Sequence, residues 1–94
     1  MTETVRYTGT AIGRVQGVGF RMFVREHAKE LGLTGWVRNM SDGTVDFDVQ
    51  GAREQVEKLL RIIRQGNYFI KVVELRLEEE NPTLPPEQGF NIKY

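Results

Sequence analysis

Two stretches of the chain carry apolar residues at helical spacing. In each, these residues recur at i, i+3 and i+4, the pattern of a helix with one buried face, and a glycine follows as a stop signal at Gly32 and at Gly66. The pattern predicts one helix over residues 20–31 and a second over residues 53–65. The expected apolar faces consist of Phe20, Phe23, Val24, Ala28 and Leu31 in the first helix, and of Val56, Leu59, Leu60 and Ile63 in the second.

The remaining apolar residues alternate with polar ones, as in β-strands. In residues 43–50, three apolar side chains alternate with three polar ones, so we expect Val45, Phe47 and Val49 to face the core. The other face of this strand, with Asp46, Asp48 and Gln50, is expected to face solvent. Other predicted strands cover residues 5–12, 34–40, 72–79 and 90–94, with Val73, Leu75 and Leu77 on one face of the fourth strand. The polar, Pro-containing segment 80–89 is expected to be a surface connection.

The predicted order of elements is β-α-β-β-α-β, followed by a short extra C-terminal strand. Two split β-α-β units of this kind form a ferredoxin-like α/β sandwich, an α+β fold with an antiparallel sheet and both helices on one face. Residues 1–94 are expected to form a single domain. The first two strands run parallel in this fold with another strand between them. Asn39 should therefore lie on the same side of the molecule as the segment 13–19, called here the glycine loop.

Composition and charge narrow the range of functions. The 94 residues include 13 Lys and Arg, 13 Asp and Glu and no Cys. A net charge of zero argues against a general nucleic-acid or membrane partner, and the lack of Cys excludes a thiol nucleophile. With neither an apolar run of about 20 residues nor a signal peptide, the cytoplasm is the expected location. The charges are nevertheless uneven: residues 1–40 hold six basic and three acidic side chains, residues 41–94 seven and ten.

The glycine loop is the segment most suggestive of chemistry. A strand, a Gly-rich turn and a helix N-terminus together direct backbone N–H groups at one point and can bind an anion. No Ser, Thr, Asp or Asn stands before Phe20 to cap the helix, and Arg21 in the first turn is disfavoured by the helix dipole by ~0.3–1 kcal/mol. A bound anion would relieve both defects. The alternative is a plain tight turn beside a solvated Arg21. The loop matches neither GxxxxGK[ST] nor GxGxxG.

Two motifs carry a resemblance to a known family. The run Gly-Arg-Val-Gln-Gly-Val-Gly-Phe-Arg over residues 13–21, with Gly-Trp-Val-Arg-Asn over 35–39 and Asp-Gly-Thr-Val over 42–45, resembles acylphosphatase. The resemblance implies hydrolysis of a carboxyl phosphate without metal or cofactor, with inorganic phosphate as product and competitive ligand. It implies Arg21 as the catalytic arginine and Asn39 as the residue that positions water. The implied phosphate cradle consists of Arg14, Val15, Gln16, Gly17, Val18, Gly19 and Phe20.

The resemblance weakens after Gly51, and other functions remain open. The loop with Asn67, Tyr68 and Phe69 is more aromatic than is usual in the family, and its role is not predicted. The main alternative is a non-catalytic ferredoxin-like regulatory or anion-binding module. RNA-recognition domains share the element order, but the exposed carboxylates of the third strand would repel phosphates. A third alternative is a carbamoyl-phosphate-handling domain of a larger maturation enzyme. A chain that runs from Met1 to a closing strand at Tyr94 favours a separate, monomeric enzyme.

Overall fold

The computed structural model describes residues 3–94, and its elements follow the predicted order. The fold is the expected α+β ferredoxin-like sandwich. Both helices cover one face of a five-stranded sheet, which has the strand order β4-β1-β3-β2-β5. The elements are β1 Thr4–Arg14, α1 Phe20–Glu30, β2 Thr34–Asn39, β3 Val45–Ala52, α2 Arg53–Gln65, β4 Lys71–Glu80 and β5 Phe90–Lys93. No helix within residues 3–94 is long and apolar enough to cross a membrane.

The sheet is antiparallel except at its last strand. β1 pairs with β3 and β4, and β2 pairs with β3, all antiparallel, whereas β5 pairs with β2 in parallel. The direction of β5 follows from the path of the chain. β4 ends at the side of the molecule away from the glycine loop, and the 81–89 segment crosses to the β2 edge at that side. β5 then runs back beside β2, so that its end lies near the glycine loop.

The core forms between the helices and one face of the sheet. The alternating residues Val45, Phe47 and Val49 are fully buried there, as predicted, and so are the four apolar residues of the predicted stripe of α2. In α1, Phe20, Val24 and Ala28 are buried, while the other two residues of the stripe pack at the margin of the core. The helical and strand periodicities of the sequence therefore located most of the core.

The expectation for Val73 is wrong. A β-bulge interrupts the β1–β4 pairing, because Ile12 lies opposite Glu74 while the next residue, Gly13, lies opposite Val72. The extra residue reverses the alternation of side chains along β4. Val72 consequently packs against the core, and Val73 is 81% exposed.

The second face of the sheet is less open to solvent than the alternation predicted. Asp48 and Gln50 are buried, each with 7% relative exposure. Arg6 holds the Asp48 carboxylate with Nε and a terminal nitrogen, at 3.0 and 2.7 Å, and this hydrogen bond raises the pKa of Arg6. The Gln50 side chain bonds the backbone N–H and C=O of Thr83, at 2.8 and 3.1 Å. The 81–89 segment is thus fixed across this face by buried polar groups.

Candidate active site

The glycine loop connects β1 to α1 through a backbone that turns back on itself. Gly17 and Gly19 have φ values of 74° and 80°, in the left-handed region that L-residues rarely adopt. A β-carbon at either position would meet no atom within 4 Å. These glycines are therefore required by the backbone conformation, and the space in front of them is open to a ligand.

The N-terminus of α1 has no internal cap. Gly19 is the N-cap residue, no side chain bonds the free N–H groups, and the first turn holds no acidic residue. This confirms the prediction from the sequence. Within residues 3–94, none of the backbone N–H groups of residues 15–22 donates a hydrogen bond to another residue. Buried or half-buried N–H groups are usually paired, so this run of free donors favours an external acceptor.

These donors border a cleft of about 200 Å³, called here the Arg21 cleft. It is lined by Val15, Gly17, Gly19, Phe20, Arg21, Met22, Asn39, Ile92 and Tyr94. Among the described residues that line the cleft, Arg21 alone has a charged side chain, and none has a carboxylate or imidazole side chain. The cleft is therefore suited to an anion, and Tyr94 is the one described lining residue whose side chain is of a kind used in general acid or base catalysis.

Asn39 reaches the Arg21 cleft from the last position of β2. Its Oδ1 atom is buried and has no hydrogen-bond partner among the described residues. A buried amide oxygen without a donor costs about 1–3 kcal/mol relative to a paired one. The Asn39 amide is thus available to accept a hydrogen bond from a water or substrate held between it and the glycine loop.

Tyr94 completes the cleft, and sequence reasoning did not identify it. The guanidinium carbon of Arg21 lies 5.0 Å from the centre of the Tyr94 ring, a cation–π contact. β5 brings the ring there because it runs parallel to β2 and ends at the same side as Asn39. The sequence predicted the strand but not its direction, so it held no signal for this contact.

The comparison with known proteins identifies the family. The acylphosphatase family model matches residues 7–92. The chain belongs to the acylphosphatase family. The acylphosphatase of Bacillus licheniformis is 48% identical over 82 residues, which are 87% of this chain and 90% of that protein.

Solved structures of acylphosphatases show the same fold. The crystal structure of acylphosphatase from Bacillus subtilis superposes with a TM-score of 0.89 at 33% identity, covering 96% of this chain and 99% of that one. Full-length HypF, in a phosphate- and nucleotide-bound form, contains a similar region with a TM-score of 0.88 at 26% identity. That region covers 100% of this chain but 12% of the HypF chain. The resemblance found in the sequence is thereby confirmed at the level of family and fold.

In this acylphosphatase-family chain, some residues of the predicted phosphate cradle line the Arg21 cleft and others do not. Val15, Gly17, Gly19 and Phe20 line the Arg21 cleft, as do Arg21 and Asn39. The other three predicted residues are absent from the lining. Arg14 is exposed at the end of β1, Val18 packs against the core, and the Gln16 side chain bonds two backbone carbonyls of the β2–β3 turn.

Two groups of aromatic side chains lie outside the cleft. The His27 ring packs edge-on against Phe23, with centroids 4.7 Å apart, and is half-buried. Tyr68 and Phe69 are exposed and pack against each other, and neither lines the cleft. Within residues 3–94, no group of three or more His, Cys, Asp or Glu side chains is placed to hold a metal ion.

A larger depression, of about 360 Å³, lies on the face of the sheet opposite the helices. Two of its polar side chains already have partners, since Asp46 accepts a hydrogen bond from Thr10 at 2.8 Å and Arg76 pairs with Glu74 at 2.9 Å. Its described lining residues all lie in strands, so neither a helix N-terminus nor the glycine loop borders it. The smaller Arg21 cleft is therefore the better candidate for the active site despite its size.

Proposed function

We propose that this member of the acylphosphatase family hydrolyses acyl phosphates in the Arg21 cleft. The reaction is R–CO–O–PO₃²⁻ + H₂O → R–COO⁻ + H₂PO₄⁻. The observation that carries the proposal is the run of unpartnered N–H groups of residues 15–22 beside the single cation of the cleft. Such an arrangement matches the three oxygens and the double charge of a phosphoryl group.

Arg21 and the glycine loop bind the phosphoryl group and stabilise the charge that spreads over its oxygens. In phosphoryl transfer the transition state is loose, so catalysis consists mainly of positioning and electrostatic stabilisation. A guanidinium provides two parallel donors to phosphate oxygens, and the loop N–H groups provide more. Gln16 and Val18 contribute to this cradle through their free backbone N–H groups, whereas Arg14 precedes the run of free donors and pairs with Lys71 in the sheet.

Asn39 holds the attacking water. Its buried Oδ1 accepts a hydrogen bond from the water, while the Nδ2 group donates to the water or to a phosphoryl oxygen. The water attacks phosphorus as the bond from phosphorus to the carboxyl oxygen breaks, and its proton passes to a phosphoryl oxygen. The leaving carboxylate is a weak base that requires no acid to protonate it. This reaction suits a cleft in which no described lining residue has a carboxylate or imidazole side chain.

The test is hydrolysis of benzoyl phosphate with a chelator present, with inorganic phosphate as a competitor. We expect turnover, competitive inhibition by phosphate and no effect of the chelator. Asn39→Ala should lower kcat and leave the phosphate inhibition constant nearly unchanged. Arg21→Ala should lower kcat and also raise the phosphate inhibition constant. Phosphate binding without turnover in the wild type would instead favour a non-catalytic anion-binding module.

We further propose that the enzyme acts as a single-domain cytoplasmic monomer on a small acyl phosphate, without a nucleic-acid or membrane partner. The carboxylate of Asp46 on the second sheet face disfavours a nucleic acid there, and the chain as a whole has no net positive charge. Light scattering would test the oligomeric state. Cell fractionation would test the location.

A further inference from the structure

Gln16 belongs to the glycine loop, but its side chain points to another part of the molecule. Its Nε2 atom donates to the backbone oxygens of Met40 and Thr44, at 2.8 Å each. Both acceptors lie in the turn that follows Asn39. Gln16 is thus the one residue of the loop whose side chain bonds this turn, within the part of the chain that the structure describes.

The two carbonyls that Gln16 binds are the ones that close the turn. Met40 N–H donates to the Thr44 oxygen at 2.9 Å, and Gly43 N–H donates to the Met40 oxygen at 3.2 Å. Asp42 braces the same turn by accepting from the Thr44 N–H and hydroxyl. Each of these bonds involves Met40 or Thr44, so the turn is rigid. The Gln16 amide therefore couples the glycine loop to a rigid turn.

Asn39 depends on this backbone for its position. Its buried Oδ1 has no partner among the described residues, so no hydrogen bond at that oxygen fixes the amide in the cleft. Met40 follows Asn39 directly in the chain, and Gln16 donates to the carbonyl oxygen of Met40. The pairing of Asn39 with Val45 fixes its place in the sheet, and the contact of Gln16 with the turn links the glycine loop to the backbone that follows Asn39.

We infer that Gln16 is a positioning residue, which holds the water-binding amide of Asn39 at a fixed place relative to the phosphoryl group. The inference rests on the proposed function of Asn39. Glutamine suits this role because its Nε2 group carries two donors, one for each carbonyl. A glutamate of the same length has no donor when ionised, and a methionine of similar length has none at any pH.

The test compares Gln16→Met with a matched control, Gln50→Met. Gln50 also bonds backbone groups through its side chain, but on the opposite face of the sheet. For Gln16→Met we expect kcat for benzoyl phosphate to fall ~10- to 100-fold, as for a misplaced catalytic group, with the phosphate inhibition constant nearly unchanged. For Gln50→Met we expect a lower Tm and unchanged kcat.

A double-mutant cycle with Asn39→Ala separates positioning from general stability. If Gln16 acts through Asn39, Gln16→Met should have almost no further effect on kcat once Asn39 is alanine. Equal losses of kcat in both backgrounds would overturn the inference, and so would a phosphate inhibition constant that rises as kcat falls. Absence of turnover in the wild type would overturn the proposed function as well, so the two failures are distinguishable.

A second variant, Gln16→Glu, keeps the test decisive if the methionine variant does not fold. Protonation of this carboxyl restores one donor, so kcat relative to wild type should rise as pH falls through the pKa of the new side chain. A ratio that does not change with pH would contradict a positioning role for the Gln16 donors.

Discussion

Arg21 has the only charged side chain among the described residues that line the cleft, and its removal gives the sharpest quantitative prediction. Arg21→Ala removes this charge and the guanidinium fork. For a half-buried cation ~4 Å from one negative charge of the phosphoryl group, the Coulomb attraction at an effective dielectric constant of ~20 is about 4 kcal/mol. Two charge-assisted hydrogen bonds at ~1.5–3 kcal/mol each give a similar total. At ~1.4 kcal/mol for each tenfold change in rate, kcat/KM should fall ~10³-fold.

The assay is hydrolysis of benzoyl phosphate across a series at this position. Arg21→Lys keeps the positive charge but loses the two parallel donors of the guanidinium. We expect kcat/KM to fall ~10- to 100-fold, which corresponds to the loss of about one charged hydrogen bond. Arg61→Ala, on the exposed face of α2, is the control for the loss of one positive charge. Its kcat/KM should stay within twofold of the wild type. The reasoning is refuted if Arg21→Ala keeps more than a tenth of the wild-type kcat/KM, or if Arg61→Ala loses as much.

Three further predictions test the surroundings of the cleft and the second face of the sheet. Tyr94→Leu should weaken phosphate inhibition about two- to fivefold, since an exposed cation–π contact with Arg21 is worth ~0.5–1 kcal/mol, while Tyr94→Phe should not. Asp48→Ala should lower Tm by ~6 °C or more in thermal unfolding followed by circular dichroism, because it leaves the half-buried Arg6 without the ~1.5–3 kcal/mol of a charged hydrogen bond. An unchanged Tm would contradict this. The Thr44 hydroxyl and N–H lower the pKa of Asp42, so its contribution to stability should be present above the unfolded pKa and lost as pH falls through the lower folded pKa. In acid titrations, Asp42→Ala should remove this part of the pH dependence.

Most of the fold could be predicted from periodicity, because each element has one buried face. The helix pattern placed Val24 and Val56 in the core, and the strand pattern did the same for Phe47. The pattern failed at Val73, since a bulge is a property of two paired strands and leaves no mark on one of them. It also failed at Asp48, whose burial depends on Arg6 and on the 81–89 segment.

The site was partly predictable for a related reason. Arg21 and the uncapped helix start depart from local rules, and such departures are visible in the sequence. The role of Asn39 was predicted from the motif, and its place beside the glycine loop was predicted from the parallel course of the first two strands. The contact of Tyr94 with Arg21 and the bonds of Gln16 depend on which strands are neighbours and on where one side chain points. Local sequence does not contain this information.

The parallel β5 strand has a consequence for how activity is acquired. The lining of the Arg21 cleft comes from six residues between Val15 and Met22, from Asn39, and from Ile92 and Tyr94, so its parts are separated by most of the chain. During synthesis the N-terminal parts of the cleft emerge first. β5 pairs with β2 only after residues 90–94 have left the ribosome. In refolding, the hydrolysis of an acyl phosphate would therefore report completion of the whole sheet, whereas helix signals would report earlier, more local steps.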